Sequence, residues 1–373
     1  MAAQEEDSPL VVNDDLGYPV VVGEDLLETI AAFARARGTG VVVVHDANAH
    51  VARIAKRVAE RIGDRCTAVL GFVLGERRKR LSTVERVLDA FASAGLERSG
   101  LVLGVGGGIA SDLFAFAAAT YMRGVAYAHV ATSLVAMVDA AIGGKTGIDL
   151  KGGKNLAGAF APPVAVFCEV RALFTLPLRA LREGLAEVVK AAILEGGELF
   201  EALEALAAHR FVRWPWIEVV AAAARVKTRI VAQDPRETGV REALNLGHTF
   251  GHALERASNY RITHGAGVAL GLRAAGLLAL RTGRFSAGEH LRVLALLALL
   301  GMPLRTSARA GAVFAAMQSD KKRRGGRLRF VVPRAIGDVE WGVECDVDVV
   351  RGVLKRLERI PSSVRRSGER EVS

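Results

Sequence analysis

The run Val41-Val42-Val43-Val44 is apolar without a break, the pattern of a short parallel strand buried on both faces. It ends at His45-Asp46-Ala47-Asn48, and a helical stretch follows to about Arg61. A second strand reads from about Thr67 to Leu74 and stops at Gly75-Glu76. Ser82 and Glu85 have the spacing of a capping box, which predicts a helix start there. Val84, Val87, Leu88 and Phe91 then recur at i, i+3, i+4 and i+7, one face of that helix. A third strand, Leu101 to Val105, runs into Gly106-Gly107-Gly108. This alternation predicts a parallel sheet with helices on its faces.

From about Leu181 the period changes. Leu181, Leu185, Val188, Val189 and Ala192 form a helical stripe, and Ala/Leu-rich segments continue to about Leu300 with few strand signals. The expected fold is α/β: a parallel-sheet domain over residues 1–175, then a mostly α-helical domain over 176–360. Residues 361–373 are charged and poor in apolar side chains, the composition of a disordered tail. No internal repeat is present.

Composition fits two cores, since 51% of the 373 residues are hydrophobic and single cores stop growing near about 250–300 residues. The longest helical apolar stretch, Val293 to Leu300, follows Arg292 and is too short to span a bilayer. The start, MAAQEEDSP, is acidic and polar, unlike a signal peptide, so a cytoplasmic location is expected. Cys66, Cys168 and Cys345 lie far apart and form no CxxC, which argues against a disulfide framework or a thiolate metal site. The net charge of +10 raises nucleic-acid binding as a possibility. The basic runs are short, however, and aromatic residues make up only 6% of the chain. A site for an anionic small molecule explains the excess more simply, with no nucleic-acid or membrane partner.

Two groups of residues carry chemistry. The strand running into Gly106-Gly107-Gly108 would let a backbone approach a pyrophosphate at a helix N-terminus. The GxGxxG fingerprint is not met, because its last position falls on Ile109 or Ser111, and the same glycines serve a tight turn with close packing. Asp46 and Asn48 follow their strand at the edge where such sheets bind ribose hydroxyls, though both are also turn residues. Gly143-Gly144-Lys145-Thr146 ends like a P-loop, but the first glycine of that motif would fall on Asp139, so an NTPase is excluded. His248 and His252 lie at i and i+4 on one helical face and His264 follows nearby, a set able to bind a divalent ion with Glu187 as a remote carboxylate. The alternative makes the histidines packing residues, and Glu187 and Lys190 an exposed helix pair.

Together these motifs resemble the 3-dehydroquinate synthase family, within the sugar-phosphate cyclases. The resemblance rests on GGGIASD (106–112), ATYMRG (119–124), VDAAIGGKTG (138–147), GGKN (152–155), GLAEVVK (184–190), LNLGHTFGH (244–252) and HG (264–265). It implies a Rossmann-like N-terminal domain and a helical C-terminal one. Metal ligands would be Glu187, His248 and His264, for zinc or cobalt, leaving His252 for proton transfer. NAD contacts would be Asp46, Asn48, Glu76, Lys79, Gly107, Gly108, Ile109, Asp112, Thr132, Ser133, Lys145, Lys154 and Thr175. Substrate and catalytic groups would be Asp139, Lys145, Asn155, Lys190, Lys227, Arg241, Asn245, His252 and Lys321 or Lys322. Arg123 matches an arginine that reaches a neighbouring subunit's site, which implies a homodimer.

The implied reaction cyclises 3-deoxy-D-arabino-heptulosonate 7-phosphate with loss of phosphate. Transient oxidation of the C5 alcohol acidifies the adjacent C–H and permits elimination; re-reduction returns the hydride, and an intramolecular aldol step closes the ring. This chain departs from the family pattern at Ala131-Thr132-Ser133, usually Pro-Thr-Thr, at Asp149, commonly Asn, and at His45, commonly Thr. None of these changes removes a group that the chemistry needs. The competing readings are a paralogous cyclase of the inosose or valiolone synthase type and a metal-dependent polyol dehydrogenase. The former's substrates lack the carboxylate that Arg241 and Lys227 suit, and the latter would need fewer cations.

Overall fold

The computed structural model describes residues 9–12, 16–321 and 328–361, with no side-chain account for 319–321. Two compact units form, one from the chain up to Leu181 together with Pro215–Ala232, the other from Arg182–Trp214 and Gln233 onward. In chain order the sheet unit begins with β1 (Leu10–Val12), β2 (Val20–Gly23), α1 (Leu27–Arg37), β3 (Val41–Asp46), α2 (Ala49–Ile62) and β4 (Cys66–Phe72). It continues with α3 (Leu81–Ser93), β5 (Leu101–Gly106), α4 (Gly108–Thr120), β6 (Ala126–Ala131), β7 (Ile148–Leu150), β8 (Gly153–Ala157) and β9 (Ala165–Glu169). Then come α5 (Leu178–Glu195), α6 (Gly197–Leu206), α7 (Trp216–Gln233), α8 (His248–Ala257), α9 (His264–Arg281), α10 (Ala287–Leu299) and α11 (Ala310–Lys321). The hairpin β10 (Arg329–Ala335) and β11 (Asp338–Glu344) and helix α12 (Val347–Leu357) follow.

The main sheet has the order β1-β2-β9-β6-β5-β3-β4. Its neighbours are parallel except for β1, which pairs antiparallel with β2. The unbroken apolar strands have a direct reason: both faces are covered. Val41, Val43, Leu101 and Leu103 pack under Ile30 and Ala34 of α1 and Val58 and Ile62 of α2. The alternate residues Val42, Val44 and Val102 pack under Val87 and Phe91 of α3 and Leu113 and Phe114 of α4. The chain leaves β3 through α2 on one face and β5 through α4 on the other, so the switch of direction lies between β3 and β5. Open α/β sheets bind ligands at such a point, beyond the strand ends.

The start of α3 differs from expectation. A 3₁₀ turn at Glu76–Arg78 places Arg80 at the N-cap, and the N–H groups of Thr83 and Val84 bond its carbonyl. Ser82 therefore lies inside the first turn and cannot cap a helix already begun. The hairpin β10–β11 was also unforeseen; its Val-rich strands meet across the two residues Ile336-Gly337. Val293, Leu294, Leu296 and Leu297 of α10 are buried in the helical part, as their short apolar run requires. Among the described residues no helix is long and apolar enough to cross a membrane. All three cysteines are free thiols. Lys322, the side chain of Lys321 and the tail beyond Pro361 lie outside the described residues.

Candidate active site

In the sheet unit, the ends of β3, β5 and β6 carry Asp46, Gly106-Gly107-Gly108 and Thr132-Ser133 side by side. The Thr132 N–H bonds the Gly106 carbonyl at 3.0 Å, which continues the strand pairing to the edge. Helix α4 starts at Gly108, so its first N–H groups have no acceptor within the helix and face this edge. A Cβ added at Gly107 would stand 3.0 Å from Ser133 Oγ, so the missing side chain lets the start of α4 pack closely against the segment after β6. Ile109 and Asp112 lie in the first two turns of α4. Asp46 Oδ1 accepts the Asn48 N–H at 3.0 Å, and Asn48 caps α2 through the His50 N–H at 3.0 Å. The turn chemistry of this pair is therefore present, with Asp46 half-buried and Asn48 exposed.

Nine further candidates lie on the same unit. The buried Lys79 ammonium bonds Asp112 and lies 2.5 Å from Asn155 Oδ1. Burial raises the Asp112 pKa, and the Lys79 charge works against that rise. Lys154 Nζ sits 2.5 Å from Glu76 Oε1. Asp149 accepts the Asn155 N–H at 2.9 Å and helps hold Asn155 at φ +50. Lys227, on α7, bonds both the backbone oxygen and Oδ1 of Asp139 at 2.6 Å. Lys145 is exposed and is followed by β7 rather than a helix, which agrees with excluding a P-loop. Thr175 donates locally to the Ala172 carbonyl at 2.7 Å, and Arg123 is exposed with φ +66.

In the helical unit, α5, α8 and α9 bring Glu187, His248 and His264 together, with one ligand atom of each within 4.8 Å of the others. The approach depends on missing side chains. A Cβ at Gly271 would lie 1.9 Å from the Gly247 carbonyl oxygen, and one at Gly265 would lie 2.4 Å from Glu183 Cα. Only hydrogen at these positions lets α9 touch the start of α8 and the backbone of α5. Glu183 completes the joint by accepting the Gly265 N–H at 2.6 Å and the Thr263 hydroxyl.

The ring orientations fit a metal. His248 Nδ1 faces the Leu246 carbonyl at 3.2 Å, and a carbonyl only accepts, so this nitrogen carries the proton. His264 Nδ1 likewise faces Glu255 Oε1 at 3.1 Å. Both Nε2 atoms then point at Glu187 Oε1, at 3.5 and 3.0 Å. Lone pairs aimed at a carboxylate repel it unless a cation intervenes. A proton can serve on His264: burial opposes its charge, but hydrogen bonds to Glu187 and Glu255 outweigh that and raise its pKa to about 10. A divalent ion answers the same demand for all three groups.

Glu187 is 1% and Lys190 4% exposed, so they are no solvated helix pair. Burial opposes the Glu187 charge, yet the Lys190 ammonium beside it holds its carboxyl well below the usual range. His252 is exposed beside the trio, its ring 5.3 Å from His248 and 6.2 Å from His264. Arg241 is buried, and Asn245 Nδ2 donates to Glu237 Oε1 at 2.8 Å. Sequence reasoning missed Glu183, Glu237 and Glu255. The spacing His252-x-x-Glu255 was a usable signal, but a carboxylate on a helix ordinarily reads as solvated.

The N-terminal family model of 3-dehydroquinate synthase matches residues 69–183, and the C-terminal one matches 184–323. The chain is 44% identical over 295 residues to 3-dehydroquinate synthase from Gloeobacter violaceus, covering 78% of this chain and 82% of that protein. It is 36% identical over 349 residues to the enzyme of the same name from Picosynechococcus, covering 90% and 95%. Among solved structures, 2-epi-5-epi-valiolone synthase from Streptomyces hygroscopicus subsp. jinggangensis, with NAD⁺ and Zn²⁺ bound, has a TM-score of 0.83 at 28% identity. That likeness covers 91% of this chain and 96% of the other. A 2-deoxy-scyllo-inosose synthase complexed with carbaglucose-6-phosphate, NAD⁺ and Co²⁺ shares the fold, with a TM-score of 0.81 at 24% identity over 93% and 99% of the chains. The chain belongs to the 3-dehydroquinate synthase family.

Proposed function

We propose that this chain is a 3-dehydroquinate synthase, a lyase that converts 3-deoxy-D-arabino-heptulosonate 7-phosphate to 3-dehydroquinate and phosphate in the shikimate pathway. The observation that carries this reading is the convergence of Glu187, His248 and His264, with the exposed His252 beside them, in a chain of this family. Glu187, His248 and His264 would hold Zn²⁺ or Co²⁺, and the β3, β5 and β6 edge with Glu76, Lys79, Asp112, Lys145, Lys154 and Thr175 would hold NAD. When bound, NAD supplies a reversible hydride acceptor and the metal supplies Lewis-acid polarisation of the reacting hydroxyl.

His252 is placed beside the ligand set to take the hydroxyl proton, a role that suits a neutral imidazole. Lys190 balances the buried Glu187 and presents a cation beside it. Arg241 suits a bidentate oxyanion, the substrate's carboxylate, and Asn245 orients a neutral oxygen beside it. Asp139 and Lys227 form one clamp, and Asn155 is held by Lys79 and Asp149. Arg123 would serve a neighbouring copy in a homodimer, and the cytoplasm is the proposed location.

The test is phosphate release from the heptulosonate phosphate with NAD and zinc present, followed alongside absorbance for NADH. Phosphate release without NADH, abolished by a chelator, supports the reading. Steady NADH from simple polyols would replace it with a dehydrogenase. The solved relatives keep a second reading in view, a cyclase acting on a sugar phosphate that lacks a carboxylate. Phosphate release from such a sugar, and not from the heptulosonate, would select it.

A further inference from the structure

Helix α7 ends at Gln233, and the next residues, Asp234 to Arg241, wrap around one carboxylate. Asp234 Oδ1 accepts the N–H of Thr238 at 3.0 Å and its hydroxyl at 3.3 Å. Oδ2 accepts the N–H of Gly239 at 2.7 Å and of Arg241 at 3.1 Å. Pro235, with no N–H of its own, turns its carbonyl to Arg241 Nη1 at 2.5 Å. Arg241 is thus held at both ends by adjacent residues, its backbone by Asp234 and its guanidinium by Pro235. The same loop carries Glu237 at φ +59, where its carboxylate meets Asn245.

Asp234 is 8% exposed, and a buried carboxylate is costly unless its lone pairs are used. Here four donors from one loop use them, so the charge organises the backbone. Backbone N–H bonds from Thr238, Gly239 and Arg241 outweigh burial and lower the Asp234 pKa to about 2, so it stays ionised through any working pH.

We propose that Asp234 is the positioning residue for Arg241: it folds the loop that aims the guanidinium at the substrate's oxyanion, without touching substrate itself. This rests on Arg241 being the oxyanion site proposed above. Asn in its place keeps the shape but replaces one acceptor oxygen with an NH₂ that faces N–H donors.

The test is a double-mutant cycle on the full-length, metal-loaded enzyme with Asp234→Asn, Arg241→Lys and the pair, using the heptulosonate phosphate. Asp234→Asn is expected to raise KM about tenfold with kcat within about twofold, while zinc content and NAD⁺ binding stay unchanged. On top of Arg241→Lys it should add less than about twofold, since two residues acting as one unit do not add. Full additivity, or loss of zinc and NAD⁺ binding in step with KM, overturns the proposal and leaves Asp234 a general stabiliser. If Arg241→Lys alone leaves KM unchanged, the oxyanion reading falls and takes the proposal with it. Should Asp234→Asn not accumulate as folded protein, Thr238→Val removes one of the four donors. It should raise KM about two- to threefold, coupled to Arg241 in the same way, and an unchanged or uncoupled KM overturns the proposal.

Discussion

Lys190 Nζ lies 2.6 Å from Glu187 Oε2, one turn further along α5, and both side chains are buried. A charge in such a place needs its partner, since an uncompensated buried ion costs about 3–5 kcal/mol. Lys190→Met should therefore destabilise the metal-free protein by that order and the zinc-loaded protein by clearly less, because the divalent ion then balances Glu187. Denaturant midpoints with and without chelator measure the difference. Equal losses in both forms would mean that Glu187 is not a ligand.

His248→Ala removes one of the three proposed ligands. Metal content and phosphate release should fall together. A metal-replete, fully active variant would sink the ligand assignment.

Gly271→Ala places a methyl carbon 1.9 Å from the Gly247 carbonyl oxygen, a backbone atom that cannot swing aside. The variant should lose at least about 1–3 kcal/mol of stability, the usual cost of overpacking, and bind zinc more weakly as α8 and α9 separate. Gly288→Ala on α10 is the matched control, since nothing lies within 4 Å of its new carbon. It should be neutral or gain up to about 1 kcal/mol. Equal behaviour of the two variants would refute the close-contact argument.

Stability should also fall in mild acid. Burial, with the nearby Arg273 charge, lowers the His290 pKa to about 4, so the folded chain keeps this ring neutral. The unfolded chain protonates it near about 6.5. Between these values the unfolded state holds the extra proton. His290 therefore costs nothing above about pH 6.5, and about 3 kcal/mol is lost progressively as pH falls toward 4. Urea midpoints for His290→Leu should show a flatter acid limb than the parent chain. An identical limb would place the acid sensitivity elsewhere.

The sheet was legible because strands covered on both faces are apolar at every position, as Val41 to Val44 are, and few other structures produce that run. The histidines were legible because two share a helix face and the third is close in sequence. Glu187 lies 61 residues before His248, and no local period reports a partner so distant; only its motif pointed there. Glu183, Glu237 and Glu255 escaped because a carboxylate that accepts a hydrogen bond looks, in sequence, like one that faces water. The capping box at Ser82 failed because the preceding 3₁₀ turn, which has no periodic signature, fixed the helix start. The hairpin β10–β11 was masked by the helical composition around it.

Helix α7 belongs with the sheet unit although its sequence lies inside the helical half, and this bears on how the protein can be cut and recombined. A fragment ending at Leu181 would lack Lys227, the clamp on its own Asp139. Chimeras joined near residue 183, where the two family regions meet, would carry the foreign partner's α7 into the host's sheet unit. Grafting the helical unit cleanly needs three junctions rather than one, with Pro215–Ala232 retained from the host.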